Sequence, residues 1–206
     1  MALSHEQTET LGKIFMPYAA RRAKQLLAGT GRLAHYTTAE NAIKIIRSRT
    51  IWLRNARGMH DFSEVEYGYS QLRDYFQDTE KSRKFAAALD GCSANIVTDA
   101  VTLFDKWWSQ IQTNTYISCF SEHVDNEDAH GRLSMWRAFG RDAAGVAIVI
   151  RMPAPYSALP LKVFLTPVAY FSRGELWASF DEVINLIDAS PEYLKTIARQ
   201  DIVGMV

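Results

Sequence analysis

Cysteine is scarce in this sequence. Cys92 and Cys119 are the only two in 206 residues, too few and too far apart for a disulfide framework or for a zinc site made of cysteine alone, which fits a reducing compartment. A surplus of one charge is missing as well. Lys plus Arg and Asp plus Glu stand at 23 each, for a formal net charge of zero, so no global field draws the chain to phosphate backbones or anionic membrane. No apolar run approaches the ~20 residues that span a bilayer, and Met1 to Gln7 has neither the basic start nor the apolar stretch of a secretory signal. Low-complexity tracts and long runs of like charge are absent too. A nucleic-acid partner would need a local basic patch. The one modest candidate, Arg21-Arg22-Ala23-Lys24 with Arg32, reads more simply as a solvated helix face. The expected location is the cytoplasm, with no membrane partner.

What is present fits one folded domain spanning 1–206. The hydrophobic share is 48% and the charged share 22%, as in ordinary folded proteins. Apolar spacing from Leu11 to Leu26 predicts one opening helix over about 4–28, closed by Gly29-Thr30-Gly31. Leu33 to Tyr36 reads as a short strand, and Ala39 to Arg47 as a helix capped by Thr38 with Asn41, or by Thr37 with Glu40. Thr50 to Leu53 reads as a second brief strand, followed by an irregular polar loop, Arg54 to Ser63. Helical patterns over Glu64–Gln77, Ser82–Leu89 and Ala94–Trp108 predict a helical insertion over about 64–110. Thr115 to Ser121 and Ala144 to Ile150 are the strongest strand candidates. Val163 to Phe171 is a further strand, with Pro167 warning of an edge or bulge. Ser134 to Phe139 reads as a short helix, and Glu175 onward is largely helical. The class is therefore α+β, a compact mixed β-sheet carrying helices.

Several side-chain groups could carry chemistry. His35, Tyr36 and Thr37 stand at a strand end just before a helix N-terminus, where free backbone N–H groups and hydroxyls suit an anion or a ribose. The plain alternative is a histidine satisfied by backbone. Asp61 and Glu64 place two carboxylates from a loop into a helix start, or else simply cap that helix. Trp136 and Arg137, with Arg141, offer an aromatic plate and a phosphate clamp, or one core tryptophan beside solvated arginines. His123, Asp125, Glu127, Asp128 and His130 invite a metal reading, but their spacing matches no compact zinc pattern and no metal is expected. Cys119 has no flanking base and is a poor nucleophile candidate.

The phrase His35-Tyr36-Thr37, followed by Ala39-Glu40-Asn41, an apolar helix and Ile51-Trp52-Leu53, resembles the first motif of the ADP-ribosyltransferase superfamily. Its arrangement is closest to the DNA-modifying toxin branch, where an Asn shortly after the His-x-Thr also touches the cofactor. A wider resemblance, over roughly Leu33 to Ile150, adds Asp61 with Glu64, Cys119-Phe120-Ser121, Met135-Trp136 and Gly145-Val146. In that form the chain is similar to an uncharacterised bacterial domain family often grouped with the same superfamily.

The resemblance implies an ADP-ribosyltransferase-like core and NAD as substrate. His35 and Thr37 would orient the nicotinamide ribose and Tyr36 would stack on nicotinamide. Asn41 with Arg54 or Arg137 would hold the rest of the nucleotide, and Ser121 would brace the acceptor side or the catalytic carboxylate. Glu64 and Asp61, with His35, are the catalytic candidates, because cleaving the glycosidic bond of NAD builds positive charge on the ribose. The implied function is modification of a macromolecule, protein or nucleic acid, in a bacterial toxin or a phage-defence effector. One departure stands out: no Glu-x-Glu-like segment follows Tyr170, and Glu175 is the only Glu soon after the late strand candidate. Three alternatives stay open: the sequence is shortened, the carboxylate comes from elsewhere, or the chain is a nucleotide-binding or interaction module without catalysis.

Overall fold

The computed structural model describes residues 3–58, 63–139, 144–152 and 164–206. In chain order the elements are α1 (His5–Phe15), α2 (Pro17–Ala28), β1 (Arg32–Thr38), α3 (Ala39–Ser48), β2 (Arg54–Asn55), α4 (Glu64–Phe76), α5 (Thr79–Asp90) and α6 (Ile96–Asn114). After them come β3 (Tyr116–Ile117), β4 (Ser121–Glu122), α7 (Leu133–Phe139), β5 (Gly145–Arg151), α8 (Arg173–Asp188), α9 (Pro191–Leu194) and α10 (Arg199–Val203). Helices and small sheets are both present, so the class is α+β. The chain divides into two compact units, one made of Met1–Arg22, Asn55–Thr115 and Thr166–Val206, the other of Ala23–Arg54 and Tyr116–Leu165.

The first unit is helical. A capping box opens α1: the Ser4 hydroxyl accepts from the Gln7 amide and the Gln7 side chain accepts from the Ser4 amide. The single opening helix expected over 4–28 is in fact two. Pro17 has no N–H to continue the ladder and is suited to a first helical position, so the chain breaks at Met16 and restarts. The helices expected as an insertion share one core with the N- and C-terminal helices: Leu11, Tyr75, Leu89, Ile96, Ile187, Leu194 and Ile202 are all essentially inaccessible and belong to one cluster. Each such side chain contributes on the order of 1.5–3 kcal/mol when buried. Arg199 ties the end of this unit to the start of α6, donating to Asp99, to the Ser93 hydroxyl and to the Ala94 carbonyl.

Tyr75 is the unit's buried polar handle. Its hydroxyl donates to Asp181 Oδ1 at 2.6 Å, and Lys81 Nζ bridges both oxygens of the same carboxylate at 2.9 and 3.0 Å while lying 4.7 Å from the Tyr75 ring centroid. Burial, and then the bond to Asp181, push the phenol well above its usual range. Burial raises the Asp181 carboxyl, but the bonds from Tyr75 and Lys81 outweigh it and hold the group below its ordinary value. Replacing Tyr75 by Phe keeps the ring and deletes the donor, so chemical denaturation should show a loss of about 0.5–1.5 kcal/mol. An unchanged midpoint would mean that the hydroxyl is not held as described.

The second unit is built on a three-stranded sheet in the order β4-β1-β5, with both pairings antiparallel. The sheet expected as mixed therefore has no parallel pair among the described residues. Gly31, at φ 60°, makes the left-handed turn into β1 that a side chain would strain. Thr115 to Ser121 is not one strand but two short ones, β3 and β4. Ile51 to Leu53 lies outside any ladder, and the pairing falls on Arg54–Asn55, which join β3. Residues 164–172 carry no ladder either.

Polar contacts hold β4 and its following loop against β1. Arg32 binds Asp128 at 2.8 Å and Asp125 at 2.5 Å. His123, only 3% exposed, donates its backbone amide to the Arg32 carbonyl and its Nε2 to Asp128 Oδ1 at 2.9 Å. Its carbonyl accepts from the Thr30 hydroxyl. Glu127 accepts from Arg132 Nε at 2.7 Å, and a second Arg132 nitrogen donates to the Glu122 carbonyl.

The Asp128 carboxyl is held below its ordinary value by His123 first and then by Arg32. Burial would raise the Glu127 carboxyl, but Arg132 and the Val124 amide bring it down. Carboxyls depressed in the folded state stabilise it fully above their unfolded pKa of about 4, and that contribution is lost as pH falls through the lower folded values. In an acid titration followed by circular dichroism, Asp128→Asn should therefore lower stability at neutral pH and flatten the loss of stability below about pH 4. A titration curve parallel to that of the native protein would sink this account.

Candidate functional site

Register decides which residues of β1 can act together. Side chains alternate along a strand, so Leu33, His35 and Thr37 share one face while Ala34, Tyr36 and Thr38 share the other. On β5, Ile148 stands opposite His35 and Val146 opposite Thr37. On β4, Ser121 stands opposite Ala34. Ser121 therefore belongs with Tyr36, on the face opposite His35 and Thr37.

The Tyr36 face is closed. Tyr36 is 4% exposed, its hydroxyl accepts from the Arg132 amide at 2.8 Å, and its ring meets Trp136 edge-on at 4.6 Å. The Tyr36 ring is not free to plate a nicotinamide. Trp136 is further fixed by its Nε1–H, which donates to the His130 carbonyl at 2.7 Å. Gly131, at φ 65°, passes so close that a Cβ there would lie 2.8 Å from Trp136 Nε1, closer than real contacts allow. The Ser121 hydroxyl is buried without a hydrogen-bond partner among the described residues. The role that the sequence suggested for Tyr36 thus becomes a role in packing, because burial and hydrogen bonding have used its side chain, while Trp136 is only partly buried.

The His35 face is the more open one. His35 Nδ1 lies 3.0 Å from the Cys119 carbonyl. A carbonyl only accepts, so Nδ1 carries a proton, and in the tautomer with that proton alone Nε2 is the acceptor. The Phe120 ring, 5.3 Å away centre to centre, braces the imidazole. Thr37 follows two residues later on the same face, half-buried, and α3 begins immediately after Thr38.

Thr38, not Thr37, caps α3, its hydroxyl accepting from the Asn41 amide at 3.3 Å. The Ala39 amide donates to the Ala144 carbonyl at 2.9 Å. Two of the four amides that a helix start leaves unpaired are thus already used. Glu40, paired with Lys44 at 2.5 Å, keeps a carboxylate in the first turn, and that pairing, by hydrogen bond and by charge, lowers its carboxyl. The expectation of an open phosphate cradle here gives way to a helix start with two of its four amides already used and an acidic residue in its first turn. Hydroxyl and amide recognition by His35, Thr37 and Asn41 remains.

The other candidates belong to other elements. Arg54 is exposed in β2, and Arg137 is exposed on α7. Asp61 and Arg141 lie outside the described residues. Glu64 opens α4 in the helical unit. The acidic loop keeps Asp125 and Asp128 solvent-exposed and also forms an ion-pair network: Asp125 and Asp128 turn to Arg32, and Glu127 turns to Arg132. Among the described residues no cluster of three His, Cys, Asp or Glu could hold a metal ion, and no helix is long and apolar enough to cross a membrane.

Arg132 is the residue whose importance sequence reasoning missed. It joins the acidic loop, β4 and Tyr36 through three hydrogen bonds. The available signal was arithmetic: an acidic loop in a chain of zero net charge has arginines to pair with, and Arg32 and Arg132 are near it in sequence or in strand order. No family model matches the chain, and neither a curated protein nor a solved structure does.

Proposed function

We propose that the sheet unit binds NAD through the His35 face and serves ADP-ribosyl transfer to a macromolecule, as the resemblance of its His-Tyr-Thr segment to the ADP-ribosyltransferase superfamily implies. The observation that carries the reading is the fixed imidazole: with Nδ1 committed to the Cys119 carbonyl at 3.0 Å, Nε2 is a pre-oriented acceptor for a ribose hydroxyl. Thr37 stands beside it on the same face and Asn41 sits in the first turn of α3. Orientation before binding removes an entropic cost that a mobile side chain would incur.

In the reaction, the bond between the nicotinamide nitrogen and the ribose carbon breaks and the ring leaves with the electron pair. A nucleophile of the acceptor forms the new bond to the same carbon and gives up its proton. Positive charge grows on the ribose during the exchange, and a carboxylate stabilises it; Glu64 and Asp61 are the proposed sources. The acceptor is a protein or a nucleic acid, and a bacterial toxin or phage-defence effector is the setting that the resemblance favours.

A second reading, a nucleotide-binding module without turnover, has one specific observation in its favour. Glu175, the acidic residue after the late segment, is the third residue of α8. Its carboxylate accepts from both the amide and the hydroxyl of Ser172, so it is occupied in capping.

Calorimetric titration of NAD into the native protein should give saturable one-site binding. His35→Ala should weaken it by about ten- to a hundredfold, the loss of one or two hydrogen bonds of about 1–1.5 kcal/mol each. Absence of heat with the native, folded protein would end both readings. NAD consumption that disappears in Glu64→Gln while affinity persists favours the enzyme; binding without any consumption by the native protein favours the module.

A further inference from the structure

Charge is spread unevenly along a chain whose total is zero. Between Glu40 and Asp61 the sequence has Lys44, Arg47, Arg49, Arg54 and Arg57 but no Asp or Glu. Elsewhere the exposed lysines Lys13, Lys84 and Lys195 each meet a carboxylate three or four residues earlier, and Lys44 meets Glu40 in the same way. After Lys44 that pairing stops. Arg47 and Arg49 are exposed, and neither side chain has a hydrogen bond or an ion pair with another described residue. The other basic run, Arg21 to Lys24, differs: Arg21 donates to both oxygens of Glu182.

The backbone gives one of these arginines an unusual place. Arg49 caps the C-terminus of α3 at φ 54° and ψ 31°, the left-handed conformation in which glycine commonly ends a helix and a side chain is disfavoured. The turn is fixed there, with the Ser48 and Thr50 hydroxyls 2.7 Å apart and the Thr50 amide donating to the Ser48 hydroxyl at 3.3 Å. Glycine would make this turn with less strain, so the arginine does not serve the backbone. Arg47, in the last turn, faces the negative end of the helix dipole. Three residues after Arg49, Trp52 is 59% exposed and its ring meets no other ring among the described residues.

We infer that the segment Arg47 to Trp52 binds a single-stranded nucleic acid, with Arg47 and Arg49 on phosphates and a base stacked on Trp52. A guanidinium takes a phosphate in two-point fashion, and an exposed indole is a sequence-tolerant platform for an unpaired base. At most about 11 Å of backbone separates Arg49 from Trp52, so one short strand reaches both. A duplex has its base faces covered and would use the arginines without the indole. An anionic lipid surface fits less well. It would lie along the exposed side of α3, where Ile43 and Ile46 suit it, but so it would cover the exposed Glu40 carboxylate, about 10 Å along the helix from Arg47. A strand crossing the end of the helix meets the cations and avoids that carboxylate. An acidic protein segment would pair with the arginines but has no flat ring to set on Trp52. Arg47, Arg49 and Trp52 have no part in the NAD site proposed above, so the two sites stand or fall separately.

Fluorescence anisotropy tests this, with the full chain titrated into a labelled single-stranded oligothymidylate of about 12 nucleotides and circular dichroism to check that each variant is folded. The native protein should bind saturably at low salt, and log K should fall against log salt with a slope of about −1.4, as two neutralised phosphates require. Arg49→Gly should weaken binding at least about threefold and flatten the slope by about 0.7. Its fold is kept, because glycine takes the left-handed turn without strain. Trp52→Ala should weaken binding of the single strand at least about fivefold and leave binding of a duplex of the same length unchanged. Folded native protein that does not bind the single strand overturns the inference. So does binding that Arg49→Gly and Trp52→Ala leave as it was, equal competition by polyglutamate, or tighter binding to phosphatidylserine vesicles than to the oligonucleotide.

Discussion

The seven-residue register between β1 and β5, from Arg32↔Arg151 to Thr38↔Gly145, is the constraint on which the sheet unit depends. A strand repeats every two residues, so a slip of one position would exchange the faces: Tyr36 would turn outward and His35 inward. That exchange would expose a large ring and leave the Arg132 amide without its acceptor. It would also bring an imidazole to a space filled by Trp136. The position of His35 beside Cys119 is thus secured by contacts on the opposite face, where Tyr36 and Trp136 meet edge-on and Gly131 leaves no room for a side chain. Packing on one face orients chemistry on the other.

The polar network around His123 is the second support of that register. A histidine 3% exposed would be costly if left alone, since a buried polar group without partners loses its hydration for nothing. Here Asp128 accepts from Nε2, Arg32 holds Asp128, and Thr30 and Arg32 satisfy the histidine backbone, while Nδ1 is buried without a hydrogen bond among the described residues, 3.6 Å from Glu127 Oε2. The same arginine belongs to β1 and binds two carboxylates of the loop after β4. Asp125 and Asp128 stay 86% and 57% exposed, whereas Arg32 and His123 are largely buried, so removing a carboxylate costs most through the buried partner it leaves behind.

Local chemistry made part of this architecture legible. The run Leu33 to Tyr36 with Thr38 as cap, the apolar run ending at Ile150, and the short helix bearing Trp136 follow from period, capping and β-branching, and the structure has them as β1, α3, β5 and α7, although β5 is only partly buried. Where long-range pairing decides, the sequence was silent. Pro17 breaks a helix that apolar spacing alone runs together. Ile51 to Leu53 and Ser118 to Phe120 have the side chains of strands, but the ladder bonds fall on their neighbours, because β-propensity describes fit to a half-buried surface that only the fold supplies. The site was legible as a segment and not as a face: His35, Tyr36 and Thr37 are adjacent in sequence, yet alternation turns Tyr36 away from its two neighbours.

That alternation also limits what the proposed nucleotide site is able to recognise. The acidic first turn of α3 and the use of the Ala39 and Asn41 amides remove the usual anion affinity of a helix start. On the proposed reading, His35 and Thr37 therefore recognise sugar hydroxyls, and the diphosphate charge falls to arginines elsewhere. Arg54 and Arg137 are both exposed, and an exposed guanidinium can swing to a phosphate and bind it in two-point fashion. Arg32 and Arg132 are unsuited to that task, because moving either one abandons carboxylates that hold β1 in register. On that reading these four arginines fall into two groups, Arg32 and Arg132 spent on architecture beside the acidic loop and Arg54 and Arg137 left for a ligand.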